Sequence, residues 1–216
     1  MLECCILFAH HNNDDTTRHH LQLLRERNPY PVIAICNNAE QHTERALDVS
    51  PLSKEGPQES GWHGHDTMLY QWFLHGGVRA QRYIYFEWDT LATMPVREFY
   101  DEVWDQDAAA STVKHIENDP NWYWFWQRDR LPEDLRVKAG GIVPFNGIIL
   151  SHRALAAITT RTIPADVFCE LRIGTLLRNT GFEPCSWPAE KQSMNSYDRN
   201  LIQFDPDRPG IYHPIK

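Results

Sequence analysis

Two carboxylates, Glu87 and Asp89 in the tripeptide Glu87-Trp88-Asp89, are the side chains best placed to do chemistry. Side chains two apart on a strand point the same way, so both can reach one cation. Oxygen ligands suit Mg²⁺ or Mn²⁺, which commonly bridge protein carboxylates and substrate phosphates. The bare pattern carries no weight. With 29 acidic residues in 216, an acidic-x-acidic triplet arises by chance about four times. Asp105/Asp107, Glu117/Asp119 and Asp205/Asp207 repeat it. What singles out the first is position: it directly follows Tyr83-Ile84-Tyr85-Phe86, an apolar run that predicts a buried strand. Ligands of open α/β sheets sit outside the carboxyl ends of the strands.

Rival chemistry finds less support. His63-Gly64-His65-Asp66 is superficially like a zinc-binding HxHxDH motif, but Asp66 comes one place early and no His follows at 67 or 68. His10, His11, His19 and His20 are clustered, yet a chain with eleven histidines produces such clusters readily, and solvation is their default. There is no G-x-S-x-G elbow, no P-loop and no GxGxxG. Cys4, Cys5 and Cys36 fall in predicted buried strands, where thiols are inert.

The elements that must position these groups follow from periodicity. Residues 4–9 form a continuous apolar run, as expected for a strand covered on both faces. A helix over Thr16–Arg27 follows, with Asp14 or Asp15 able to cap it, and Asn28-Pro29 stops it. Residues 31–36 read as a second buried strand and residues 50–64 as a loop. Asp66 opens a helix of about 66–75, ended by Gly76-Gly77, and leads to the strand before Glu87. Helices are expected around 95–104, 151–158 and 165–179, with a fourth strand at 108–113. The aromatic stretch 119–138 reads as a helix on the sheet or a lid. Strand, polar loop, helix, strand is the opening of an α/β fold with a parallel sheet.

Bulk properties narrow the function. A length of 216 residues suits a single domain with a substantial core. Lys and Arg number 21 against 29 Asp and Glu, net −8, which argues against nucleic acid as partner. A phosphorylated ligand here would need a cation to screen repulsion. No apolar stretch approaches the ~20 residues that span a bilayer, so no transmembrane segment is expected. Residues 1–9 read as a strand rather than a signal peptide. Five scattered cysteines without a CxxC pair fit reduced thiols and a cytoplasmic location.

Taken in order, these pieces resemble a GT-A type glycosyltransferase across nearly the whole chain. Leu7 to Asp15 looks like the segment that opens the nucleotide pocket, and Glu87-Trp88-Asp89 stands where that family has its DXD metal motif. Gly140-Gly141 through Gly147 is similar to the glycine-containing segment before the acceptor-side strand. Cys169-Glu170-Leu171 resembles the xED element, and Ile211-Tyr212-His213-Pro214 the C-terminal His that completes the metal shell. Two departures stand out: Glu87 replaces the first Asp, and Leu171 replaces the acid of xED.

The resemblance implies a GT-A-like (Rossmann-like), mostly parallel sheet flanked by helices in one domain. Its nucleotide-binding half would be about 1–115 and its acceptor-side half about 116–216. It implies a hexosyltransferase-like enzyme that binds Mn²⁺ or Mg²⁺ through Glu87, Asp89 and His213, with Glu170 as catalytic base. The donor would be a UDP- or GDP-sugar, held by His10, Asn12, Asp14, Asn37 and Trp88. A carbohydrate or other hydroxyl acceptor would meet Gly141, Asn146 and Trp124. Without the resemblance, Glu170 reads as an exposed helix residue and His213 as a tail residue. A nucleotidyltransferase also fits carboxylates at a parallel sheet, and a non-catalytic nucleotide- or carbohydrate-binding protein fits the aromatics alone; only the latter would bind its ligand equally well in chelator.

Overall fold

The computed structural model describes residues 1–11, 13–36, 64–161, 163, 166–196, 200, 202 and 204–215. The expected loop at 50–64 lies, apart from Gly64, outside the described residues, as do Asn12, Asn37 and His63. In chain order the elements are β1 (Leu2–His10), α1 (Asp15–Arg27), β2 (Val32–Cys36), α2 (His65–Leu74), β3 (Ala80–Glu87), β4 (Leu91–Ala92), α3 (Val96–Phe99), β5 (Ala108–Ala110) and β6 (Thr112–His115). Two 3-10 helices, Tyr123–Arg130 and Glu133–Lys138, precede β7 (Gly140–Val143) and β8 (Ile148–Ser151). Then come α4 (His152–Ile158), α5 (Cys169–Asn179), β9 (Cys185–Ser186), α6 (Ala189–Gln192) and β10 (Ile211–Tyr212).

A six-stranded sheet ordered β2-β1-β3-β8-β5-β9 organises this α/β fold. It is mostly parallel: β8 alone runs against its neighbours β3 and β5. The continuous apolar run of β1 is explained by layers on both faces. Cys5, Leu7 and Ala9 face Met68, Leu69 and Trp72 of α2 and the α5 side. Cys4, Ile6 and Phe8 face Leu24 of α1 together with Val96 and Phe99. Burial of each large apolar side chain contributes roughly 1.5–3 kcal/mol, so this double-sided strand anchors everything at its carboxyl end.

Asp14 caps α1 by accepting from the Thr17 amide at 2.8 Å. Helix α2 ends where Gly76 adopts φ 92° and the Gly77 N–H returns to the Trp72 carbonyl at 3.1 Å, a left-handed stop that needs glycine. Several elements depart from their sequence reading. Asp66 does not cap α2; Arg172 of α5 holds it in the first turn as a buried ion pair. The helix expected over 95–104 ends at Phe99: the Tyr100 backbone leaves the helical conformation at φ −96° and ψ 13°, and its ring packs edge-on against Phe99 and Trp187. The strand expected at 108–113 breaks at buried Ser111, so β5 joins the main sheet and β6 pairs with β7. The helix expected from 165 begins at Cys169. The aromatic stretch forms the 3-10 helices; Phe125 in the first and Leu131 between the two pack on Val167 and Leu171.

Candidate metal centre

Strand β3 ends at Glu87, and a turn closed by the Thr90 N–H on the Glu87 carbonyl (3.1 Å) carries Trp88 and Asp89. The two carboxylates therefore converge through a turn rather than along one strand face. The C-terminal tail folds back to meet them. β10 pairs antiparallel with β4, with Ile211 opposite Ala92 and Tyr212 opposite Leu91. The Ile215 amide then donates to the Asp89 carbonyl at 2.8 Å, and the His213 amide to the Met194 carbonyl at 2.9 Å. His213 is thereby fixed above the strand end, 126 residues (213 − 87) from Glu87 in sequence.

Glu87, Asp89 and His213 each offer a ligand atom, and these atoms all lie within 4.8 Å of one another. His213 Nε2 is 3.2 Å from Asp89 Oδ1 and 3.5 Å from Glu87 Oε2. Its other nitrogen, Nδ1, faces two oxygens, Asn195 Oδ1 at 3.1 Å and the Ser196 carbonyl at 3.0 Å. Two acceptors there keep a proton on Nδ1, so Nε2 is the nitrogen that faces the carboxylates and that offers a lone pair to a cation once its own proton is displaced, as in histidines that ligate metals. Asp89 Oδ1 is buried and makes no hydrogen bond in spite of the nearby imidazole. A buried oxygen without a hydrogen bond, two carboxylates and one imidazole form a donor set that fits Mn²⁺ or Mg²⁺.

The electrostatics are those of a site short of positive charge. Burial pushes the Glu87 carboxyl up, but His65 and then His213 outweigh it and hold the group at about 2. Burial pushes His213 down, but Asp89 and Glu87 outweigh it and lift the imidazole to about 9. Glu170 is raised to about 8, by burial first and then by the Glu87 charge. Among the described residues, no Lys or Arg ion-pairs with any of these three carboxylates.

Glu170 is not the exposed helix residue that its surroundings in sequence suggest. It is buried in the first turn of α5, and Oε1 accepts the Phe145 N–H at 3.0 Å. Asn146 is buried under the strand end: Oδ1 accepts the Glu87 N–H at 2.7 Å and the Thr90 hydroxyl at 2.8 Å. Gly141 lies against Trp122, whose ring carbons would stand 2.1 Å from an added Cβ. Trp124 is half-buried and stacks on Phe168, with centroids 3.9 Å apart. His10 is buried at the end of β1, and Asp14 is engaged as the α1 cap. Trp88 packs edge-on to His11 at 5.3 Å, and its carbonyl meets His20 Nδ1 at 3.1 Å.

Two residues at the centre were missed. Asn195 joins the tail to the strand end, with Nδ2 donating to the Asn146 carbonyl at 2.9 Å while Oδ1 holds His213. Nothing local marks an Asn in Met194-Asn195-Ser196. His65 sits 3.5 Å from Glu87 Oε1. Its signal in the sequence is the His63-Gly64-His65-Asp66 cluster, whose spacing does not fit a zinc motif.

No protein-family model matches the chain. No curated protein matches it either. Among solved structures, it is similar to the bifunctional glycosyltransferase WbbM in its apo form, at 10% identity and a TM-score of 0.42. That match covers 91% of this chain but 41% of WbbM, so the chain spans less than half of that protein. No described helix is long and apolar enough to cross a membrane.

Proposed function

We propose that this chain is a metal-dependent, GT-A type glycosyltransferase that moves a sugar from a UDP- or GDP-sugar to a hydroxyl acceptor. The observation that carries the reading is the convergence of Glu87, Asp89 and His213 at the carboxyl end of β3, with Asp89 Oδ1 left without a hydrogen bond. Glu87, Asp89 and His213 would hold Mn²⁺ or Mg²⁺. Once bound, the cation would supply the positive charge that a departing nucleoside diphosphate needs and that this acidic chain lacks. His10, Asp14 and Trp88 stand at or just after the ends of β1 and β3, where a nucleotide would lie, and Asn12 and Asn37, outside the described residues, are further donor-side candidates by sequence alone.

Glu170 is the base in this reading. It takes the acceptor hydroxyl proton as the new C–O bond forms and the sugar–phosphate bond breaks, inverting the anomeric carbon. With Oε1 committed to the Phe145 amide, Oε2 is the oxygen available for that proton. Its raised proton affinity suits a base for a hydroxyl, provided the carboxyl starts ionised, which cancellation of the Glu87 charge favours. Trp124, stacked on Phe168 immediately before α5, flanks the acceptor side; Asn146 and Gly141 act there through position and packing. The nucleotide half is residues 1–115 and the acceptor half 116–216 of one domain. Isothermal titration of UDP and GDP with and without Mn²⁺ is the test. Metal-dependent binding of one of them is expected; equal binding in chelator, or none, would remove the reading.

A further inference from the structure

The Glu87 carboxylate lies between two imidazoles. His213 contacts Oε2 on the side shared with Asp89, whereas His65 Nε2 is 3.5 Å from Oε1, on the other oxygen. His65 is also outside the set whose ligand atoms lie mutually within 4.8 Å, so it does not reach the ion position itself. Its ring is fixed from two further directions. The Tyr85 hydroxyl meets Nδ1 at 2.8 Å, and the Phe145 ring stacks on it with centroids 5.6 Å apart and planes 24° apart. The Tyr85 hydroxyl has a second neighbour in Met68 Sδ at 3.9 Å, but a thioether is a far weaker acceptor than an imidazole nitrogen. Tyr85 therefore donates to Nδ1, which leaves Nε2–H facing Glu87. Tyr85 and Glu87 are also two apart on β3, so one ring spans successive positions on one face of the strand that ends at the site.

We propose that His65 is a positioning residue for the metal centre: held by Tyr85 and Phe145, it fixes Glu87 Oε1 so that Oε2 points at the cation position beside Asp89 and His213. This rests on the metal-site reading above. Partners of a ligating carboxylate typically govern 10–100-fold in metal affinity. The experiment is titration of Mn²⁺ alone, without nucleotide, into the wild type and the His65→Leu, His65→Gln and Tyr85→Phe variants, with thermal unfolding in chelator alongside. His65→Leu is expected to weaken Mn²⁺ binding about 10–100-fold, His65→Gln to recover part of it through its amide donor, and Tyr85→Phe to weaken it by less. Should His65→Leu not fold, the other two variants decide. A fall in melting temperature with unchanged Mn²⁺ affinity in the folded variants would overturn the positioning role and leave the metal site standing. Failure of the wild type to bind Mn²⁺ would overturn both.

Discussion

Two buried charge clusters in this molecule are solved in opposite ways. Asp66 and Arg172 form a closed pair: Nε donates to Oδ2 at 2.8 Å, Nη2 donates to Oδ1, and Nη1 goes to the Val167 carbonyl. The Thr67 amide adds a further bond to Asp66. Glu87, Asp89 and Glu170 form an open cluster, three carboxylates against two imidazoles, with one buried oxygen lacking a hydrogen bond. A buried charge that serves only the fold is neutralised within the fold, because an uncompensated one is costly. A surplus left inside a well-packed strand end points to a charge that arrives from outside.

The largest expected effect lies in the closed cluster. Arg172→Leu strands Asp66 and should lower stability by about 3–5 kcal/mol in urea unfolding. Adding Asp66→Leu should restore most of that loss. Asp89→Asn in the open cluster should still fold, lose far less stability in chelator than Arg172→Leu because it costs only the contact with His213, and abolish Mn²⁺-dependent nucleotide binding. Loss of folding in Asp89→Asn would instead mark Asp89 as structural and break the contrast.

Asn195→Leu removes one of two acceptors that set the His213 proton on Nδ1, and should weaken Mn²⁺ affinity about 10–100-fold. Ser196 keeps the other bond, so the lower end of that range is expected. Glu170→Gln should retain donor binding and lose transfer; undiminished turnover would remove it as base.

The contrast also carries a pH dependence, and its sign is fixed by the direction of the shifts. His213, raised from 6.5 to about 9, contributes stability that is complete below pH 6.5 and lost as pH rises through 9. Glu170, raised from 4.5 to about 8, likewise contributes stability below 4.5 that is lost as pH rises through 8. Glu87, held at about 2, acts oppositely, contributing above 4.5 and losing this as pH falls towards 2. In chelator, stability should therefore fall from pH 6.5 to 9. Saturating Mn²⁺ should flatten that fall, since metal takes the place of the His213 proton. Equal slopes with and without Mn²⁺ would argue against His213 as ligand.

The contrast also explains what was legible in the sequence. Strand β1, helix α1 and the carboxylates after Phe86 follow from periodicity and composition, which are local. The reversal of β8 did not, because a short apolar run such as Ile148-Ile149-Leu150 reads the same in either direction. The break at Ser111 is nearly as silent, since Ala-Ala-Ala-Ser-Thr-Val offers a single Ser, a weak turn former, and no Gly, Pro, Asn or Asp. Within the site, ligand types are visible as residue types, but their holders are not. Asn146, Asn195 and His65 act through partners 59, 18 and 22 residues away in sequence (Asn146 to Glu87, Asn195 to His213, 87 − 65). Burial of Glu170 is a tertiary property too, created by Phe145 crossing above the first turn of α5.

The central claim is that one imidazole, from a tail 126 residues away (213 − 87), completes a metal site with the carboxylates after β3. Electron spin-echo spectroscopy of the Mn²⁺-loaded protein tests it most directly. A single directly bound imidazole nitrogen, lost in His213→Ala and kept in His65→Gln, is the predicted result. Mn²⁺ bound with no nitrogen coupling, or with a coupling that survives His213→Ala, would contradict it.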